Sequence, residues 1–295
     1  MLKKKSILIL GAAGMLGHQL CIKLPNMGCA VSATVRNLND LPADIATKLE
    51  NIQIVDVLDE TALSNAITSI QPDVIINCIG IVKQLAAADD RYLSVAINAF
   101  LPHQLVKIAK TINARLIHIS TDCVFTGNKG MYSEDDVSDA TDVYGKTKYL
   151  GETDDSEVNA ITLRTSIIGH EIKNHTHGLL AWFLKNKDQT VKGFQQAFFS
   201  GLTTNELVNV IDLVITKYPD LHGVYQIASE RISKYDLLQL INEIYQLNIT
   251  IEPDNSFMCD RSLNMARFHS ATGYKAPDWN EMILAMYKEH YGELK

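Results

Sequence analysis

The stretch Ser6-Ile-Leu-Ile-Leu-Gly-Ala-Ala-Gly-Met-Leu-Gly17 decides the fold. Its unbroken aliphatic run, too short for a helix and closed by glycine, reads as a strand buried on both faces. Glycines at 11, 14 and 17 then open a helix. Such a turn lets backbone N–H groups approach a pyrophosphate, and the helix N-terminus adds partial positive charge. Gly11, Gly14, Met15, Leu16 and Gly17 are therefore dinucleotide-binding candidates. Their spacing departs from the G-x-G-x-x-G fingerprint, so a plain strand-to-helix turn is the competing reading.

The same rhythm continues outward. Apolar runs at 6–10, 30–35, 52–57, 74–78, 116–120 and 160–164 alternate with helical patterns at 16–24, 60–69, 96–111 and 143–152. This βαβ succession predicts an α/β fold, a Rossmann-like doubly wound parallel sheet with helices on both faces. Beyond residue 164 the pattern changes to an amphipathic segment at 177–187, a Gly- and Phe-containing stretch to Thr204, a long helix at 205–218 and a strand at 223–228. Ser233 is placed to cap the next helix, and the tail reads as mixed helix and loop. The expected division is a dinucleotide-binding domain over 1–168, joined by about 205–230, and a smaller interleaved C-terminal substrate-binding lobe over 169–295. The loop 126–142, rich in Gly, Ser and Asp, is long enough to border a site.

Composition narrows the class. The 295 residues are 46% hydrophobic, with a mean hydropathy near zero, which suits a globular chain with a sizeable core. A net charge of -7 and a pI of about 5.7 argue against a nucleic-acid partner. No apolar run reaches the roughly 18 residues that cross a bilayer, so membrane insertion is not expected. Lys3-Lys-Lys5 before 7–10 imitates the start of a secretory signal, but the apolar run leads into a glycine turn rather than a cleavage site. Five scattered cysteines without a C-x-x-C spacing suggest neither a disulfide framework nor a metal site, and point to the cytoplasm.

Strand ends at the carboxyl edge of a parallel sheet are where ligands bind. Arg36 follows the second strand, where an acid would select the ribose hydroxyl and a cation a 2'-phosphate. It predicts NADPH over NADH, with an exposed loop arginine as the alternative and NADH left open. Asp56 and Val57 end the predicted third strand, where an acid meets the adenine amino group. Cys78, Ile79 and Gly80 follow the fourth, and the glycine permits close approach. The fifth strand ends at Ser120-Thr121-Asp122, where a hydroxyl can donate to a substrate carbonyl.

Tyr144 and Lys148 share one helical face at i and i+4. An isolated tyrosine has a pKa of about 10, and a nearby cation lowers it by roughly 1 to 3 units. Lys148 is expected to supply that cation and to hold ribose hydroxyls, Tyr144 to protonate a carbonyl oxygen, and Thr121 to polarise it. The order glycine turn, strand-end hydroxyl, Tyr and Lys carries more weight than any one match.

That order resembles the extended short-chain dehydrogenase/reductase family, and within it the dTDP-4-dehydrorhamnose reductases. The resemblance spans nearly the whole chain through Ile119-Ser-Thr-Asp-Cys-Val-Phe125, Tyr144-Gly-Lys-Thr-Lys148 with Gly151-Glu152, Leu163-Arg-Thr-Ser-Ile-Ile-Gly169, and Asp260-Arg-Ser-Leu263 before Gly273-Tyr-Lys-Ala-Pro-Asp-Trp279. It implies NADPH-dependent reduction of the 4-keto group of a nucleotide-linked 6-deoxysugar, in surface polysaccharide biosynthesis. It also implies Thr121, Tyr144 and Lys148 as catalytic residues and a nucleotide sugar as partner, with a homodimer allowed for. Position 123 departs from the branch: Cys stands where its members resemble one another in Tyr, and related dehydratases carry Glu, which disfavours dehydration.

Cys123 with His177 looks like the epimerising pair of GDP-fucose synthase. The preferred reading is plainer: Cys123 packs, and His177 is one of three solvated histidines with His170 and His175. Lys83 and Arg261 are substrate-phosphate candidates against a default of surface charge. Phe194, Phe198, Phe199 and Trp182 are expected in the small-lobe core, and Asn98 is expected to bond backbone in the sheet. A third reading, a non-catalytic NADP(H)-binding regulatory subunit, follows from a fold-level resemblance to the methionine adenosyltransferase beta subunit.

Overall fold

In the computed structural model, which describes residues 4–82, 90–173 and 177–293, Ser6–Leu10 forms strand β1 at the middle of the molecule. Ile7 and Ile9 project to one side and Leu8 and Leu10 to the other, and all four are fully buried. Side chains alternate along a strand, so burial of both sets requires cover on both faces. Strands β2 (Ala30–Val35), β3 (Asn51–Ile54), β4 (Val74–Asn77), β5 (Arg115–Thr121) and β6 (Ile161–Thr165) join β1 in one parallel sheet. Short β7 (Ile167–Ile168) and the later β8 (Thr190–Phe199) and β9 (Leu202–Thr203) lie outside that sheet, while β10 (Gly223–Gln226) returns to it beside β6.

The resulting order, β3-β2-β1-β4-β5-β6-β10, reverses direction between β1 and β4. Two adjacent crossovers part there and leave a crevice at the carboxyl ends. One face is covered by a core that includes helices Gly17–Asn26 and Thr204–Thr216, the other by helices Glu60–Ile70 and Leu101–Ile112. The doubly wound parallel sheet is thus as expected. Arg115 ties its last strands to the helical layer, donating to the carbonyls of Asn159, Val214 and Leu221 at 3.2, 2.7 and 2.5 Å.

The C-terminal part differs from the sequence reading. Strands β11 (Ile232–Ser233) and β12 (Thr250–Asp260) flank β8 in a second, three-stranded sheet. The stretch before Thr204 is therefore largely strand, and part of the tail is too. Pro253, Asp254 and Asn255 hid β12, but β12 pairs only with β8 within this sheet, and edges tolerate such residues. Ser233 does cap its helix, accepting from the Asp236 N–H at 2.9 Å. The expected third strand ends early, at Ile54, which leaves Asp56 and Val57 past its end.

Candidate active site

The glycine turn is held shut by its own backbone. Gly11 adopts φ +85°, its carbonyl accepts the Gly14 N–H at 3.0 Å, and a Cβ on Gly17 would lie 2.1 Å from that same oxygen. No side chain could stand there without moving backbone. The Gly17–Asn26 helix has no acidic residue in its first turn and no side-chain cap; within the turn the His18 N–H goes to the Gly14 carbonyl at 3.1 Å, and no carboxylate offsets the positive end of the helix there. This cradle fits a dinucleotide pyrophosphate. Across it, a Cβ on Gly11 would meet Ile79 Cγ1 at 2.9 Å, so Cys78, Ile79 and Gly80 form the opposing wall. Met15 Cε lies 2.6 Å from where a Gly178 Cβ would be, which brings Gly178 against the turn.

Around the rim, Arg36 is exposed directly after β2, Asp56 is exposed with Oδ1 accepting from the Leu58 N–H at 3.0 Å, and Val57 is buried. Gly80 packs against a π-helical turn, Val95–Phe100, of the kind that recurs at functional sites. Asn98 in this turn accepts from the Ile81 N–H at 2.9 Å and donates to the Ile81 carbonyl and Thr147. It bonds backbone, as expected, but of the loop after β4 rather than of the sheet. Lys83 and His175 lie outside the described residues.

The candidate hydroxyl, phenol and amine come from β5 and the helix that follows it. Asp142 caps the helix Val143–Leu150 by accepting the Gly145 N–H at 2.8 Å, and a Cβ on Gly145 would fall 2.3 Å from the Cys123 carbonyl. That close approach presses the helix onto the strand end and sets Tyr144 near enough to Thr121 for its side chain to act on the phenol. Thr121 Oγ1 also accepts the Cys123 N–H at 3.1 Å and donates to Asp122 Oδ1 at 3.2 Å, and Ser166 holds the other Asp122 oxygen at 2.6 Å. Below them Glu152, Arg164 and Ser120 form a buried network, with Arg164–Glu152 contacts of 2.6 and 2.9 Å.

The electrostatics correct one expectation. Burial pushes the Tyr144 phenol up, reinforced by Cys123, Asp122 and Asp142, and Thr121 draws it down. The expected lowering by Lys148 is not what governs it. Lys148 is 4% exposed, donates to the Ile119 carbonyl at 2.7 Å and faces His118 at 3.5 Å; burial lowers its pKa to about 8, against Glu152 and Cys78.

Cys123 is partly buried, and burial, then Asp122, raises its thiol to about 12 while Arg261 opposes them. His177 is exposed, its backbone N–H donating to Glu171. His170 is not solvated: it is buried, stacks on His290 at 3.7 Å and bonds the Tyr245 hydroxyl at 3.0 Å. Arg261 donates to the Phe125 carbonyl at 2.7 Å, close enough to act on Cys123. Phe199 is buried against Trp279, but Trp182 is 44% exposed and not core. Lys234, unmarked in the sequence, sits 4.3 Å over the Phe199 ring and feels Asp122, Cys123, Cys259 and Arg261. Only the second sheet carries it there, so no local pattern could have shown it.

The comparisons extend this geometry. The model of the RmlD substrate binding domain family matches residues 5–291. The dTDP-4-dehydrorhamnose reductase of Escherichia coli is 25% identical over 96% of this chain and 97% of its own. The methionine adenosyltransferase 2 subunit beta of Mus musculus is also 25% identical, over 82% of this chain and 73% of its own. A crystal structure of a hypothetical dTDP-4-dehydrorhamnose reductase from Sulfolobus tokodaii superposes with a TM-score of 0.76 at 26% identity, covering 93% of this chain and 98% of that one.

Proposed function

As the chain belongs to the RmlD substrate binding domain family, we propose that it reduces the 4-keto group of a nucleotide-linked 6-deoxysugar with NADPH, in the manner of dTDP-4-dehydrorhamnose reductase. The observation that carries this reading is the meeting of Thr121 and Tyr144 at the end of β5, with Lys148 buried one helical turn below. NADPH, when bound, supplies the hydride. Thr121, turning its one hydroxyl proton from Asp122, donates to the carbonyl oxygen and withdraws charge from it. Tyr144 passes its phenolic proton to that oxygen as the alcohol forms; a phenol kept protonated by burial suits an acid. Lys148 and the glycine turn would hold the dinucleotide, Arg36 its 2'-phosphate, and Arg261 the sugar nucleotide. The free thiols fit a reducing cytoplasm.

Reduction alone is favoured over added epimerisation. Burial holds the Cys123 thiol protonated, and His177 is exposed rather than among the charged groups acting on it. The test is turnover of a nucleotide 4-keto-6-deoxysugar by Tyr144→Phe, expected to fall on the order of 100-fold or more. Near-normal turnover by that variant rejects the assignment. NADPH binding without oxidation across a panel of keto-sugars, together with co-purification of a partner enzyme, supports the regulatory-subunit reading instead.

A further inference from the structure

Beneath the crevice, where β4 and β5 run side by side, hydrogen bonds link the loop after β4 to the Lys148 amine. Asn77 Oδ1 accepts the Ile79 backbone N–H at 3.1 Å, and Asn77 Nδ2 reaches His118 Nδ1 at 3.1 Å. A backbone N–H can only donate, so the amide oxygen must face Ile79 and the amide NH2 must face the imidazole. His118 Nδ1 is therefore an acceptor. A neutral imidazole with a bare Nδ1 carries its proton on Nε2, and the doubly protonated ring is excluded.

His118 Nε2 faces Lys148 Nζ at 3.5 Å. An ammonium has three donors and no lone pair, so it would set N–H against N–H. A neutral amine accepts from Nε2–H while one of its own N–H bonds goes to the Ile119 carbonyl at 2.7 Å. We propose that His118, locked by Asn77 as the Nε2–H tautomer, is a positioning residue that favours the neutral amine of Lys148 over the ammonium.

The surroundings agree. His118 and Asn77 are both fully buried, so no bulk solvent is available to relieve the donor–donor conflict. Among the described residues, the titratable groups acting on Lys148 besides His118 are Glu152, beyond the end of its own helix, and Cys78, after β4; both favour its charged form, yet the lysine still falls to about 8 through burial. His118 is itself driven well below the ordinary histidine range by burial, then by Lys148 and His103. In the reductase reading, Lys148 then has the role of a neutral amine, not an ammonium, toward the dinucleotide. The inference rests on the reductase reading only for that last role.

The test is independent of turnover. In 15N-histidine-labelled protein freed of dinucleotide, the His118 resonances, identified by their loss in His118→Asn, are expected to show a bare Nδ1 and a protonated Nε2 from about pH 6 to 9. Asn77→Asp puts an acceptor in place of the NH2 and is expected to move the proton to Nδ1, freeing Nε2 to accept from an ammonium. The Lys148 titration, followed on 13Cε-labelled lysine, then rises by about one unit or more, a tenfold change in proton affinity. A protonated Nδ1 in the wild-type spectrum overturns the proposal even where the variants fail to fold. So does a Lys148 midpoint unmoved in both folded variants. A protein inactive on keto-sugars would leave these spectra unchanged.

Discussion

Replacing Lys148 by Met removes a buried ionisable group and keeps an unbranched chain of similar reach. Burial lowers the lysine from 10.5 to about 8 in the fold. Between those values the unfolded chain binds more protons than the folded one, so stability rises as pH climbs from about 8 to about 10.5. Below the window both states are protonated and the whole cost of burying the ammonium is present; above it neither is, and the cost is gone. The shift, 10.5 minus about 8, is about 2.5 units, which at roughly 1.36 kcal/mol per unit makes the penalty about 3 kcal/mol. Urea unfolding of both proteins at about pH 7 and about pH 10.5 measures it. The Met variant is expected to be better placed relative to wild type at the lower pH, by about 3 kcal/mol. The Ile119 carbonyl loses its donor at both pH values, so that loss cancels in the comparison. Buried cysteines and tyrosines that titrate in the window cancel too, being common to both proteins. A stability difference that stays flat within about 0.5 kcal/mol across the window refutes burial as the cause of the shift.

Arg36→Asp is expected to lower kcat/KM with NADPH relative to NADH by about tenfold or more, the value of one charge-assisted phosphate contact, and an unchanged ratio removes Arg36 from cofactor selection. Arg115→Met strips donors from three carbonyls that join β5 to the helical layer and should cost about 2 to 4 kcal/mol in urea unfolding at unchanged m-value; a loss under about 0.5 kcal/mol would show that bolt to be idle.

Much of the candidate site was legible because the residues that compose it lie in short segments. A strand that must be buried on both faces shows as an aliphatic run, and Gly17 shows as the residue for which no Cβ has room. Tyr144 and Lys148 share a face because a helix makes them do so, and Thr121 precedes the turn that ends β5. Errors arose where distant segments decide the outcome. The expected effect of Lys148 on Tyr144 rested on spacing alone, whereas the depth of burial and the neighbours Cys123, Asp122 and Asp142 set the phenol's acidity. The second sheet was missed because β12 carries strand-breaking residues that only its edge position permits.

The linear order of residues was enough to specify a doubly wound parallel sheet, its crevice and the hydroxyl, phenol and amine beside it, since periodicity and glycine placement act over a few residues. Protonation states were decided only by the folded molecule. His118, Asn77 and Lys148 come from three elements, and a tautomer or a buried charge depends on which atoms are brought within about 3.5 Å of each other and on how much water is removed.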